Sequence, residues 1–185
     1  RHKNQKRSAL VQLLRQESVD QAMIFVNTKI EARDLARFLQ RAHVQARALH
    51  GDQTQTERLA TLDEFKNGTV PILVATDVAA RGLDIAAMPC VVNFDLPYNA
   101  EDYVHRIGRT GRAGEQGEAI SFVTAATHPH FRLIEQRHRL SIPREIVPGF
   151  EPLETEIAAG DPHGGVKGKR KSKKDKLREA AAACE

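Results

Sequence analysis

The chain has no tryptophan, and aromatic residues fill only 5% of its 185 positions. Proteins that hold single-stranded nucleic acid by stacking its bases need aromatic faces, so a stacking platform is not expected here. There are two cysteines, Cys90 and Cys184, too few for a disulfide framework or a four-cysteine zinc site. That scarcity fits a reducing, cytoplasmic setting. No apolar run approaches the roughly 18 residues a membrane helix needs. The basic stretch Arg1–Leu10 lacks the apolar core of a signal peptide, and a start at Arg1 instead of Met reads as the cut end of a longer protein. Neither charge sign dominates, with 28 Lys and Arg against 24 Asp and Glu. Eight Lys/Arg and three acids give residues 167–185 a charge of +5, so the overall +4 leaves −1 for residues 1–166. The high isoelectric point is therefore a property of the tail.

Several chemistries are missing as well. No G-x-S-x-G elbow and no H-E-x-x-H pair occurs. Gly168-Lys169 is followed by Arg170, where a phosphate-binding P-loop carries Ser or Thr, and no strand precedes it. His128, His130 and His138 have no carboxylate or cysteine arrangement that would make them metal ligands, so no metal site is expected. Cys90, inside an apolar run, reads as an inert core residue.

What is present is a regular alternation of strand and helix patterns. Short apolar runs at Ala22–Val26, Ala46–Leu49, Ile72–Ala75, Cys90–Phe94 and Glu118–Val123 read as strands, several buried on both faces. Helical periodicity lies between them, at about 4–16, 29–42, 54–66, 99–107 and 129–140. Thr54-x-x-Glu57 is a capping box and Asn67-Gly68 a helix stop. Asp77 is read as the cap of a short turn over Val78–Ala80. The alternation specifies a three-layer α/β domain with a mainly parallel sheet flanked by helices. It is expected to span residues 1–146, followed by a Pro- and Gly-bearing linker over 147–166. A flexible, disordered basic tail over 167–185 completes the chain, suited to nucleic acid or an acidic surface.

In such sheets ligands bind beyond the carboxyl ends of the strands. Polar clusters stand there: Asn27-Thr28-Lys29, then His50-Gly51-Asp52 with Gln55 and Arg58. Thr76-Asp77 with Arg81-Gly82-Leu83-Asp84 follows, then Asp95-Leu96-Pro97. Any one of them is ordinary turn and cap chemistry; four in register define a rim. The sharpest string is His105-Arg106-Ile107-Gly108-Arg109-Thr110-Gly111-Arg112. Its three arginines, at three-residue spacing, project in neighbouring directions at a helix end. Clustered guanidiniums repel one another, and their forks match phosphate oxygens, so the string suits a polyanion. Interleaved glycines let the backbone turn tightly and approach it.

Met23–Lys29, His50–Asp52 with Gln55 and Arg58, Ala75–Asp84 (ATDVAARGLD), Val91–Pro97 (VVNFDLP) and Tyr103–Gly114 (YVHRIGRTGRAG) together carry a resemblance. In order and spacing they resemble the C-terminal motif series of DEAD-box RNA helicases, over about residues 1–146, and within that family the bacterial RhlE-like subgroup. Leu83 and Phe94 are mild departures from the usual Ile and Tyr. The resemblance implies the second of two RecA-like lobes. The P-loop and the Asp-Glu-Ala-Asp box belong to the first lobe, with ATP and its Mg²⁺, and neither string occurs here. By resemblance, Arg109 and Arg112 would be arginine fingers and Asp84 would bond the ribose. Arg81, Gly82, His105 and Arg106 would make nucleotide-side or inter-lobe contacts. Thr28, Lys29, Gly51, Gln55, Arg58 and Thr76 would touch the RNA backbone. The implied activity is RNA-stimulated ATP hydrolysis coupled to duplex unwinding or remodelling, in the cytoplasm, with this piece inactive alone. Implied partners are RNA, the N-terminal lobe, and ribosomal or RNA-degradation assemblies, with no membrane. A non-enzymatic RNA- or protein-interaction module and a DNA helicase of the same superfamily stay open as alternatives.

Overall fold

Five short strands carry the architecture: β1 (Ala22–Phe25), β2 (Ala46–Leu49), β3 (Ile72–Ala75), β4 (Cys90–Asn93) and β5 (Glu118–Ser121). They form one sheet in the order β2-β3-β1-β4-β5, and every pairing is parallel. The connecting helices are α1 (His2–Gln16), α2 (Lys29–Arg41), α3 (Gln55–Lys66), α4 (Asp77–Ala80), α5 (Ala100–Ile107) and α6 (His128–His138). The computed structural model describes residues 2–16, 19–85, 87–111 and 116–151. The chain divides into two units, Arg1–Leu153 and Glu154–Glu185. The second unit, and with it the expected basic tail, lies outside the described residues.

The central strands are apolar throughout because both their faces are covered. Side chains alternate across a strand, so Ala22, Ile24, Ile72, Val74, Cys90 and Val92 meet Leu10, Leu14, Leu35 and Leu39 of α1 and α2. The opposite set, Met23, Phe25, Leu73, Ala75 and Val91, meets Leu62 and Phe65 of α3 and Ala79 and Ala80 of α4. A smaller cluster of Leu96, Tyr103, Phe131 and Ile134 packs α5 on α6. The two edge strands β2 and β5 expose part of their length, as one-sided burial requires. Among the described residues no helix is long and apolar enough to cross a membrane.

Three helices start on threonines whose hydroxyls cap them, two of these close behind the strand they follow, while Thr127 at the start of α6 makes no side-chain cap bond. Thr28 Oγ accepts from the Glu31 amide at 3.1 Å. Thr54 Oγ accepts from the Glu57 amide at 3.2 Å, while the Glu57 carboxylate accepts from the Thr54 amide at 2.7 Å and completes the capping box. The turn after β3 corrects the sequence expectation. Thr76, not Asp77, is its cap, accepting from the Ala79 amide at 3.3 Å. Asp77 is the first residue of α4, and its carboxylate serves another purpose described below. Asn99 occupies the cap position of α5, but its side chain makes no cap bond. His130 and His138 place Nε2 2.8 Å from the carbonyls of Pro97 and Ala100, pinning α6 to the start of α5.

Candidate functional site

Because all five strands run in parallel, the segments after β1, β2, β3 and β4 share one edge of the sheet. Thr28 and Lys29 follow β1, and both are exposed. Thr28 and Thr76 each use a hydroxyl lone pair on their own helix, which leaves the O–H free to donate elsewhere. Arg58 of α3 reaches across to donate to the Ala79 carbonyl at 3.2 Å, bringing it to the start of α4 beside Thr76. Lys29 and Asp52 form an ion pair of 2.8 Å between the β1 and β2 ends. Gln55 and Gly51 are exposed on the same edge. Nothing lies within 4 Å of where a Gly51 Cβ would stand, and Gly51 is absent from the left-handed φ region. Neither packing nor conformation therefore requires glycine there.

His50 is 7% exposed, and its Nδ1 is buried without a partner. Burial, reinforced by the charge of Arg33, holds its imidazole below the ordinary histidine pKa, against the pull of Asp52 and Glu57. The ring is consequently neutral at pH 7. The Lys29 ammonium keeps the Asp52 carboxyl below its usual range.

The arginine string does not fan outward together. Arg106 is 1% exposed. Its Nε and Nη2 donate to the Asp77 carboxylate at 2.7 and 2.6 Å, a bidentate pair. Its Nη1 donates to Asn93 Oδ1 at 3.2 Å and to the Asp95 carbonyl at 2.6 Å, and Nη2 also donates to Asn27 Oδ1 at 3.1 Å. The guanidinium lies 5.1 Å from the Phe25 ring centroid. Its burial departs from the expected outward projection of all three arginines, although it lines the same cavity as Arg109. A cation taken this far out of water must have its donors satisfied, and Arg106 satisfies them within the fold. It ties α5 to the ends of β1, β3 and β4.

Arg109, one turn further on, donates from Nη2 to the Ala80 carbonyl at 2.9 Å. From Nη1 it donates to the Leu83 and Ile85 carbonyls at 3.2 and 3.3 Å. It lines a cavity of about 130 Å³ with Phe25, Asp77, Arg81, Asp102, His105 and Arg106. Arg81 and His105 are 73% and 79% exposed at the side chain and stand 3.9 and 3.8 Å from the Asp102 carboxylate. Asp102 escaped sequence reasoning, although its position one turn before His105 was a usable signal. Gly82, with φ +75°, and Asp84 are exposed on the loop beyond α4. Gly111 has φ +66°, and a Cβ on Gly117 would collide with Thr110 Oγ1; turn and close approach explain these two. Arg112 lies outside the described residues. Pockets that enclose a whole small-molecule ligand run to about 300–1,000 Å³, so this cavity does not enclose a nucleotide. Among the described residues no group of three His, Cys, Asp or Glu is placed to hold a metal.

Comparison with known proteins gives consistent matches. The family model for the helicase conserved C-terminal domain matches residues 5–114. The DEAD-box ATP-dependent RNA helicase CshA of Bacillus licheniformis is 44% identical over 150 residues, covering 81% of this chain and 31% of that protein. The Escherichia coli DEAD-box protein SrmB, solved bound to regulator of ribonuclease activity A, matches with TM-score 0.72 and 35% identity over 82% of this chain and 89% of that one. Saccharomyces cerevisiae Dbp5, solved bound to RNA and ADP BeF3, matches with TM-score 0.66 and 37% identity over 71% of this chain and 35% of that one. The chain spans between 25% and 38% of the length of the curated relatives it matches.

Proposed function

This chain belongs to the helicase conserved C-terminal domain family, as the C-terminal helicase domain of a DEAD-box RNA helicase, and from that premise we propose that it is the second lobe of an ATP-dependent RNA-remodelling enzyme. ATP, with Mg²⁺ held by the other lobe, supplies the phosphoryl group that is transferred to water. Arg109 and Arg112 neutralise charge that develops on that group, and Arg81, Gly82 and His105 flank it. The Asp84 carboxylate accepts from the ribose hydroxyls. Thr28, Lys29, Gly51, Gln55, Arg58 and Thr76 hold the RNA sugar-phosphate backbone, largely without regard to sequence. Gly51 fits that role, since approach of an outside chain is the remaining reason for glycine there.

The observation that carries the reading is the setting of Arg109. Its guanidinium shares one cavity with Arg81, His105 and Arg106, and three of its bonds go to neutral carbonyls. Charge-assisted bonds to phosphate are about twice as strong as bonds to neutral carbonyls, so a phosphate brought to this edge would outcompete those three. The lobe covers residues 1–146, with 147–166 as linker and 167–185 as basic tail. The narrower placement beside the bacterial RhlE-like subgroup, a cytoplasmic site of action and a role in ribosomal or RNA-degradation assemblies belong to the same proposal. They rest on the motif strings.

In the full-length protein Arg109→Ala is expected to lower RNA-stimulated ATP turnover about 1,000-fold, the scale of an arginine finger. RNA affinity without nucleotide should hardly move, because the lost contact is to nucleotide phosphate. Near-normal turnover by a folded Arg109→Ala protein rejects the assignment.

A further inference from the structure

β2 lies at one side of the sheet and pairs only with β3. Which of its peptide groups face away from β3 follows from the ladder. Ala22 N–H donates to the Pro71 carbonyl and Val26 N–H to the Ala75 carbonyl, both at 3.0 Å. Peptide groups alternate in direction along a strand, so Pro71, Leu73 and Ala75 face β1, and Ile72 and Val74 are left for β2. Ala46 stands opposite Ile72 and Ala48 opposite Val74. In a parallel ladder Ile72 and Val74 then bond the residues on either side of Ala46 and Ala48. The peptide groups of Ala46, Ala48 and His50 are therefore turned outward.

Such a row of amides and carbonyls is a template for a further strand, and the usual guards are a charge, a proline or a bulge. β5, at the other side of the sheet, opens with an exposed Glu118. β2 has no proline, and its register with β3 runs without a bulge. Its one charge, Arg47, is turned to Glu64 of α3 at 3.0 Å.

Two glutamines stand on this flank instead. Gln40, in the last turn of α2, donates from Nε2 to the Ala46 carbonyl at 2.7 Å. Gln53, in the turn after β2, donates from Nε2 to the Ala48 carbonyl at 3.1 Å and accepts with Oε1 from the His50 amide at 3.0 Å. A residue of a neighbouring parallel strand bonds in that same way, donating to one carbonyl and accepting from the amide two residues further on. The Gln53 side-chain amide thus takes the place of a peptide group in a sixth strand. Ordering a glutamine costs rotamer freedom, and here two from different segments are ordered against one four-residue strand.

We propose that Gln40 and Gln53 form a seal on β2: they occupy its outward peptide groups and so keep a second copy of this chain from pairing its own β2 there. A second copy is the occupant excluded because the strand complements itself. In an antiparallel pairing about a two-fold axis at Ala48, each Ala48 donates to and accepts from the other. Ala46 of each copy then meets His50 of the other. On one face the strip carries only the methyl groups of Ala46 and Ala48, and on the opposite face each Arg47 keeps its own Glu64.

The test compares the full-length protein with its Gln40→Ala/Gln53→Ala variant by sedimentation velocity over a concentration series. The natural protein should keep one sedimentation coefficient, while the variant's should rise with concentration toward that of a dimer. Hydrogen exchange read by mass spectrometry locates the contact. In the dilute variant residues 45–50 should exchange faster than in the natural protein, because the His50 amide has lost Gln53, and on association they should slow. Adding Ala48→Pro should restore a constant coefficient, since proline removes an outward amide and is tolerated at a strand flank facing solvent. Gln53→Ala alone, with Gln40 in place, is the milder opening and should associate more weakly; melting curves accompany every variant. A folded variant whose coefficient stays constant overturns the inference. Association that leaves residues 45–50 unprotected, or that survives Ala48→Pro, puts the contact elsewhere and overturns it too. A natural protein that already associates through residues 45–50 would mean that the glutamines seal nothing.

Discussion

Arg106 shows how one side chain can be read correctly by type and wrongly by direction. A basic string interleaved with glycine points to phosphate, and two of its arginines remain candidates for that role. The first is instead held within the lobe, where five hydrogen bonds and the Phe25 face surround it. Nothing in the local spacing distinguishes it from Arg109. What does is the three-dimensional meeting of Asp77, Asn93 and Asn27 at the ends of different strands, a non-local fact. Removing one partner of a buried ion pair leaves the other charge uncompensated, at a cost of about 3–5 kcal/mol. Arg106→Met keeps an apolar stem near Phe25 but abandons Asp77, so it should destabilise the chain by about 3 kcal/mol or more. Asp77 is 26% exposed at the side chain, and water can relieve part of the penalty, which favours the lower figure. Adding Asp77→Asn to Arg106→Met should recover some of the loss by removing the stranded charge. Urea midpoints of the single and double variants check both statements, and a single-variant loss below about 1 kcal/mol contradicts the tie between α5 and the strand ends.

At the level of elements, strands and caps were the legible part. β2 and β3 fall on Ala46–Leu49 and Ile72–Ala75 as their apolar runs indicate, and β1 and β4 end one residue sooner than expected. The capping box at Thr54 is local chemistry, needing only residues three apart, and it forms as the spacing implies. Where the reading went astray, two residues competed for one role. Thr76 and Asp77 are both good caps, and only the position of Arg106 decides that Asp77 is spent elsewhere. β5 was drawn too long, to Val123, because the sequence does not reveal that a sheet edge ends there; the strand closes at Ser121. The candidate site follows the same division. Its rim was legible because parallel strands must send their carboxyl ends to one edge, whereas the Asp102 contacts and the Lys29–Asp52 pair needed tertiary placement. The box also makes an element-level prediction. Thr54→Ala removes the acceptor for the Glu57 amide and should cost about 1 kcal/mol, while Thr54→Ser should cost little. Thermal melting of the two variants compares them directly, and equal losses would mean that the methyl, not the hydroxyl, matters.

For the whole molecule, charge is divided as unevenly as structure. Residues 1–146 carry +3, residues 147–166 carry −4 and residues 167–185 carry +5, so the folded lobe is only weakly positive and its hold on a polyanion depends on local arrangement at its rim. If ATP and RNA both favour the closed pairing of two lobes, each raises affinity for the other through one equilibrium, and that coupling resides in the lobe. The basic segment should contribute differently. Residues 167–178 hold eight cations and one acid, and apolar residues are too few there to specify a fold. Each cation that neutralises a phosphate on a single strand adds roughly 0.7 to the slope of log affinity against log salt. With about half of the eight engaged, removing residues 167–185 should lower that slope by roughly 3. Association should slow, because steering by a charged segment raises encounter rates and fades with salt. Preference among RNA sequences and the coupling to ATP should survive, since every motif residue lies before residue 115. The measurement is RNA affinity across a salt series, for several unrelated sequences, with and without residues 167–185 in the full-length protein. An unchanged slope assigns the segment to another partner, and a loss confined to one RNA sequence assigns it to specific recognition; either outcome rejects a sequence-blind electrostatic tether.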